Sequence, residues 1–255
     1  MLGFNGGLIG KDQTTSRTIS VPGVWTLQEQ MEAVRNNLWA GSGASGDPDF
    51  DKVSLLLRMD GINNSTTFID SSLFDRTVTR VGNPVISTAV SKYGGSSGLF
   101  TAGTQLRVSA STSLQLPADF TIEVWVYPFS SADMIIGTSL GGNVQIFRLN
   151  ERGIGNLSVY INAQIFLSVA AGIAVNVWQH LAISRQGANT RLFVNGIQKG
   201  NTNTTWTGNF SMEVLGAFLF NGNNFGNNYA GYMDDVRITK GLARYTSNFT
   251  PPGPL

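Results

Sequence analysis

Two adjacent carboxylates, Asp234 and Asp235, sit at the centre of the stretch AGYMDDVRITKGLARY, which runs from Ala230 to Tyr245. The flanking residues read as a β-strand. Strand alternation gives Asp234 the parity of Val236 and Ile238, so a regular strand aims its carboxylate at their apolar side. A buried charge without a partner is strongly unfavourable. Asp234 therefore needs a metal ion, a basic side chain such as Arg237 or Arg244, or a set of backbone N–H groups. By the same alternation Asp235 points the other way, toward solvent or a surface base.

Few other residues can do acid–base or nucleophilic work. The chain has no cysteine, which excludes disulfides, a thiol nucleophile and a cysteine zinc site. Its single histidine, His180, excludes a multi-histidine metal centre. His180 shares a strand face with Ser184, but no acid in that stretch orients it. Glu123, Glu151 and Glu213 stand alone in TIEVW, LNERG and MEVLG. Two loops have the composition of a binding surface. NTNTTWTGNF carries Trp206, and NGNNFGNNYAG carries Phe225 and Tyr229, among amides and hydroxyls. Aromatic rings stack on sugar faces and amides bridge hydroxyls, though the same composition suits a plain turn or a wet protein contact.

The elements that must position these residues fall into two parts. Residues 1–48 form an arm and linker. In VPGVWTLQEQMEAVRNNLWA, Thr26 caps a helix with Glu29 at capping-box spacing, and the helix runs to about Asn36. Leu27, Met31, Val34 and Leu38 lie along one side, flanked by Trp25 and Trp39. One short helix cannot bury such a face alone, so the arm either packs back on the domain or inserts into another subunit. The small-residue stretch GSGASGDPD follows as a linker.

Residues 49–255 read as one domain of short β-runs between turns. FTIEVWVYP places Phe120, Ile122, Val124 and Val126 on one face and Thr121, Glu123, Trp125 and Tyr127 on the other. VWQHLAISR alternates likewise, and TRLFVNGIQKG is a hairpin turning at Asn195-Gly196. Further strands are expected near 53–59, 78–81, 85–88, 98–102, 105–109, 134–138, 144–149, 156–161, 165–170, 214–220 and 230–239. So many short antiparallel strands predict an all-β sandwich or barrel, and the absence of βαβ alternation argues against a nucleotide fold. Charged residues are only 13% of the chain and the net charge is +1, which argues against an electrostatic grip on nucleic acid or anionic membrane. The start MLGFNGGLIGKDQ does not read as a secretory signal, and no apolar run reaches the ~20 residues of a membrane span. The expectation is a protein made and kept in a cytoplasm until assembly or release.

Three stretches in order, FTIEVWVYP, WQHLAISRQGANTRLFVNGIQKG and GYMDDVRITKGLARYTSNFTPP, resemble the laminin-G-like, concanavalin A-like lectin/glucanase superfamily over roughly residues 51–250. The resemblance implies a two-sheet antiparallel jelly roll with a short helical arm before it. It places the first and last strands side by side, making Asp60 in RMDG the acidic neighbour of Asp234. It also implies a calcium site to which Asp60, Asp70 and Asp234 would contribute with nearby carbonyls. Glycosidases of the superfamily carry paired carboxylates at alternating spacing, which this chain lacks, and the His of the W-x-H-L-A strand is structural in the family.

The closing DDVRITKGLARYTSNFTPP, the opening LLLRMDGINNSTTFIDSS and the arm resemble laminin-G-like proteins of tailed-phage particles. That resemblance implies a non-enzymatic virion component, a capsid decoration or a tail or fibre part. It would be held by its arm to other virion proteins, assembled as a homo-oligomer, and able to adhere to a host surface glycan. A free-standing carbohydrate-binding lectin is the alternative, and a glycan hydrolase is less favoured.

Overall fold

Alternating apolar residues in the chain build two antiparallel sheets whose inner faces form one core. The structure, a computed structural model, describes residues 47–130, 134–138, 144–149, 155–161, 164–205, 211–217, 219–220, 223–224 and 228–255. The chain divides into two compact units, Met1–Asp51 and Lys52–Leu255. The arm residues Trp25, Leu27, Met31, Val34, Leu38 and Trp39 lie outside the described residues, as do Trp206 and Phe225.

The strands are β1 (Val53–Leu57), β2 (Val78–Val81), β3 (Val85–Ser87), β4 (Ser97–Phe100), β5 (Gln105–Val108), β6 (Phe120–Pro128), β7 (Met134–Thr138), β8 (Val144–Leu149) and β9 (Asn156–Ile161). They continue with β10 (Gln164–Ala170), β11 (Gln179–Gln186), β12 (Asn189–Val194), β13 (Ile197–Asn203), β14 (Val214–Leu215), β15 (Leu219–Phe220), β16 (Asn223–Asn224) and β17 (Gly231–Lys240). One sheet has eight strands in the order β13-β12-β11-β6-β17-β4-β3, with β1 also on β17. The other has seven, in the order β10-β9-β8-β7-β14-β5-β2. The expected all-β sandwich is therefore the observed fold, and it is consistent with a jelly roll.

Alternation explains the core rows of the eight-stranded sheet. Leu181 stands opposite Val124 and Ile183 opposite Ile122, with Val194 and Leu192 next across. All six belong to one buried cluster that also takes in Leu106, Val108, Ile146, Leu149, Leu157 and Val159 of the facing sheet. Residues of the other parity, Thr121, Glu123 and Trp125 among them, face outward on the eight-stranded sheet. Asn195 (φ 50°) and Gly196 (φ 76°) both have positive φ, as a two-residue hairpin turn of this type requires.

The expected strand over 214–220 is two strands. Val214–Leu215 lies in the seven-stranded sheet, while Leu219–Phe220 pairs with Asn223–Asn224. The chain leaves the sheet at Gly216, whose N–H donates to Ile136 O (2.8 Å) and whose C=O accepts from Tyr229 N (2.9 Å).

Candidate functional site

The longest strand, β17, has a different partner along each part of its free edge. It pairs with β6 over its length, with β4 at Gly231–Met233, and with β1 from Val236 to Thr239. The first and last strands thus lie together, as the resemblance implied. At the change of partner the register against β6 slips: Asp234 stands opposite Trp125, but Arg237 stands opposite Glu123. Asp235 fills this β-bulge with φ 45°.

The bulge overturns the parity expected for the acids. Met233 packs in the core opposite Val126, so Asp234 falls on the outer face with Trp125; beyond the extra residue, Val236 and Ile238 return to the core. Asp234 is nevertheless fully buried. Its Oδ2 accepts from Lys92 N (3.0 Å) and Tyr93 N (3.1 Å), and its Oδ1 from Asp235 N (3.0 Å). Of the three partners left open by the sequence, backbone N–H groups hold this carboxylate. Arg237 is engaged elsewhere, and Arg244 Nε donates to Thr239 Oγ1 (2.7 Å). Asp235, expected at the surface, is buried as well, and its Oδ2 accepts from Leu255 N (3.0 Å).

Burial pushes both acids up to about 7. Backbone N–H groups pull each down in part, and Asp60 pushes both up, as Asp234 also does Asp235. Asp60 is thus the acidic neighbour expected of Asp234. Its side chain occupies the space beside Gly94, where a Cβ would meet Asp60 Oδ1 at 1.8 Å and where φ is 59°. A side chain at that position would displace the Asp60 carboxylate and strain the backbone, which glycine avoids.

Asp70 does not join them. Its Oδ1 accepts from Leu56 N (3.0 Å) and Ser72 N (2.9 Å), and its Oδ2 from Arg76 N (3.0 Å) and the Arg76 guanidinium (3.2 Å). Among the described residues no group of three or more His, Asp or Glu side chains is placed to hold a metal ion. The oxygens of Asp70 and Asp234 are taken up by donors, an arrangement that satisfies carboxylates without a cation. The set Asp60, Asp70 and Asp234 does not fit a calcium ion as it stands.

A second polar centre lies further along the same outer face, and the sequence reading missed it. Glu123 is fully buried. Arg237 Nε donates to its Oε1 (2.8 Å) and Arg237 Nη2 stands 2.7 Å from the same oxygen. Its Oε2 accepts from Tyr245 Oη (2.6 Å) and lies 3.1 Å from His180 Nε2. Burial raises Glu123, but Arg237, His180 and Tyr245 together outweigh it and hold the carboxyl at about 2. His180, read as lacking an orienting acid, has one across the sheet. Even so no relay to Ser184 exists. Ser184 Oγ bonds Thr121 Oγ1 (3.1 Å) and accepts from Tyr245 N (3.3 Å). His180 Nδ1 has no hydrogen-bond partner among the described residues. The alternation showed which face each residue shares; only the register brings Glu123 beside His180 and Arg237.

The segment after β17 covers this centre. Leu242 O accepts from Thr121 Oγ1 (3.1 Å), and Arg244 N donates to the same hydroxyl (2.8 Å). Tyr245 and Phe249 stack in parallel at 3.5 Å, and Phe249 packs on Phe193 (5.2 Å) and His180 (5.8 Å). Phe249 N donates to Gly196 O (2.9 Å), Pro252 O accepts from Tyr93 Oη (3.1 Å), and Leu255 reaches Asp235. Residues 241–255 thus form a strap from the end of β17 across β11 and the hairpin turn and back to the bulge.

Tyr229, grouped with the binding loops from sequence, is a core anchor. It is fully buried, meets Phe100 edge-on at 6.2 Å, donates to Tyr232 O (2.8 Å) and accepts from Tyr127 N (3.1 Å). Its loop companion Phe225 and Trp206 of the other loop fall outside the described residues.

A family described as the concanavalin A-like lectin/glucanases superfamily, of the third laminin-G type, matches residues 100–243, more than half of the chain. No curated protein matches. Among solved structures, domain 4 of AbnA, a GH43 extracellular arabinanase from Geobacillus stearothermophilus in complex with arabinotriose, superposes with a TM-score of 0.56 at 18% identity, over 75% of this chain and 94% of that one. The botulinum neurotoxin serotype D ligand-binding domain in complex with N-acetylneuraminic acid gives 0.54 at 16% identity, over 76% of this chain and 49% of that one. A botulinum neurotoxin type C structure, whose cell entry depends on two ganglioside molecules, gives 0.53 at 13% identity over 76% and 49%. The chain spans about half the length of these neurotoxin chains. At such identities the likeness is one of fold.

Proposed function

The chain belongs to the concanavalin A-like lectin/glucanases superfamily, and from that premise we propose that it is a non-enzymatic recognition module displayed on a phage particle and adhering to host surface glycans. One observation carries the non-enzymatic part. The single histidine and its carboxylate partner Glu123 are sealed from solvent and bound to Arg237 and Tyr245, so the best-placed acid–base pair cannot reach a substrate. Among the described residues, recognition then falls to the outer surface. The sugar and ganglioside ligands of structurally similar domains support glycans as the target class.

The virion placement rests on the resemblance of the opening and closing strands and of the arm to phage proteins. In this reading the arm carrying Trp25, Leu27, Met31, Val34, Leu38 and Trp39 anchors the module to other virion proteins, and the assembled form is a homo-oligomer. A glycan array with the full chain tests recognition, and a cryo-EM map of the particle tests the anchoring. Release of reducing sugar from bound glycans would overturn the non-enzymatic reading, and a particle lacking this chain the virion one.

A further inference from the structure

Where the strap stops covering the outer face of the eight-stranded sheet, an aromatic platform begins. Tyr127 at the end of β6, Trp178 before β11 and Tyr232 at the start of β17 share this end of the sheet with Phe129. The ring centroids of Tyr127 lie 5.6 Å from Trp178, 5.9 Å from Tyr232 and 6.4 Å from Phe129, and Phe129 lies 5.2 Å from Tyr232. Every pair is edge-to-face, with interplanar angles from 62° to 86°. The rings therefore do not satisfy one another face to face. Phe129 is 41% exposed, with the neighbouring Val175 and Val177 at 39% and 51%; Tyr127 and Trp178 are half-buried, and Tyr232 is buried and supports them.

The platform is held rigidly. Phe129 N donates to Ala230 O (2.9 Å) and Asn176 N to Pro128 O (2.7 Å), tying together the three chain segments that carry it. Gln179 clamps the loop before β11 by accepting from Ala174 N (3.2 Å) and donating to Ala174 O (2.8 Å). Tyr229 beneath joins β6 to β17. Aromatic surface ordered in advance loses little entropy when a ligand arrives. The three segments YPFS (127–130), AVNVW (174–178) and NYAGY (228–232) contain no acidic or basic residue. A charged ligand finds no counter-charge in them, whereas a neutral sugar ring presents apolar C–H faces to the rings and hydroxyls to the surrounding water and amides.

We propose that this platform is the glycan-binding locus and that its ligand is a neutral oligosaccharide. The proposal rests on the glycan-recognition reading above and adds the place and the charge class. It places the site at the end of the second Asn-rich loop singled out in the sequence, on rings from three segments of the chain.

The test is calorimetric titration of the full chain with neutral gluco-, galacto- and arabino-oligosaccharides and with sialyllactose, repeated for Phe129→Ala, Trp178→Ala, Trp178→Phe and Ile62→Ser. Ile62 is an exposed control remote in sequence from the platform. Saturable binding to a neutral oligosaccharide is expected, weakened about tenfold or more by Phe129→Ala and Trp178→Ala, largely kept by Trp178→Phe and unchanged by Ile62→Ser. Melting curves identify a variant that has lost its fold, and Phe129→Ala, at an exposed position, keeps the test open if Trp178→Ala unfolds. Unchanged affinity in the folded platform variants overturns the locus and leaves the glycan reading standing. Preference for sialyllactose overturns the neutral ligand. No binding to any glycan overturns both readings, and partitioning onto phosphatidylcholine vesicles in its place reassigns the platform to a lipid surface.

Discussion

Asp235 adopts φ 45° in the middle of a ten-residue strand, and that one backbone conformation decides where its neighbours go. It puts Asp234 under the loop at Lys92 and Tyr93, and Arg237 beside Glu123. Both oxygens of Asp234 accept N–H donors, so Asp234→Asn must turn its amide against at least one of them. A loss of about 1–3 kcal/mol is expected from chemical denaturation. Asp235→Asn can keep its one bond to Leu255 through the amide oxygen and sheds repulsion from Asp234, so it should cost less. Melting both variants with and without a chelator checks calcium in addition: a chelator-induced fall in Tm that Asp234→Asn abolishes would place a cation there. At the other centre, Glu123→Gln removes the buried carboxylate on which Arg237, Tyr245 and His180 converge and should cost about 3–5 kcal/mol. Tyr245→Phe removes one hydrogen bond to a charged acceptor and should cost about 1.5–3 kcal/mol, readable in the same denaturant titration.

The strap over residues 241–255 is the element that makes an outer sheet face into an interior. It has no regular secondary structure, yet its bonds to Thr121, Ser184, Gly196 and Asp235 and its Tyr245–Phe249 stack hold it down along its length. Its removal would open Glu123, His180 and Phe193 to water together. A chain ending at Lys240 is expected to lose its cooperative melting transition or to melt far below the full chain. Differential scanning calorimetry checks this, and an unchanged Tm would show that the strap merely rests on a self-sufficient sheet. The strand pattern of β6 and β11 was legible in their alternation. The strap was not, because it follows no period and its anchors are set by residues spread over distant segments of the chain.

Across the whole domain the two acidic centres act in opposite directions with pH. Asp234 and Asp235 stand at about 7, against 3.8 when unperturbed, so between those values the folded state binds more protons than the unfolded one. Their contribution is greatest below the unperturbed value and is lost as pH rises toward about 7. Glu123 stands at about 2, against 4.5 unperturbed, so its contribution is lost as pH falls through that interval. Because two groups act on the alkaline side and one on the acid side, their summed contribution should peak at about pH 3.5–4, below the usual neutral range, when Tm is followed across pH. The Asp234→Asn/Asp235→Asn pair should flatten the alkaline limb, and Glu123→Gln the acid limb. The arm belongs to this scale too. A chain starting at Asp49 is expected to melt cooperatively as a β-domain and to fail to join the particle, as sedimentation with purified particles would show; an insoluble product would make the arm part of the fold.

The sequence by itself determined the all-β class, the inward rows of β6 and β11, the Asn195-Gly196 hairpin and the family. Each of these follows from local pattern: alternation of period two, turn chemistry, and ordered motifs that need no knowledge of distant contacts. The meaning of the charged residues was decided only by the tertiary structure. A single bulge inverted the faces of Asp234 and its neighbours, because parity counted along a strand holds only while every residue keeps extended geometry. The cross-strand register brought Glu123, His180 and Arg237 together from three strands, and the strap then sealed them, which turned residues that read as solitary into one buried network. Tyr229 likewise reads as a loop aromatic in an Asn-rich run, and becomes a core anchor because Gly216, Tyr127 and Tyr232 converge on it from elsewhere in the chain.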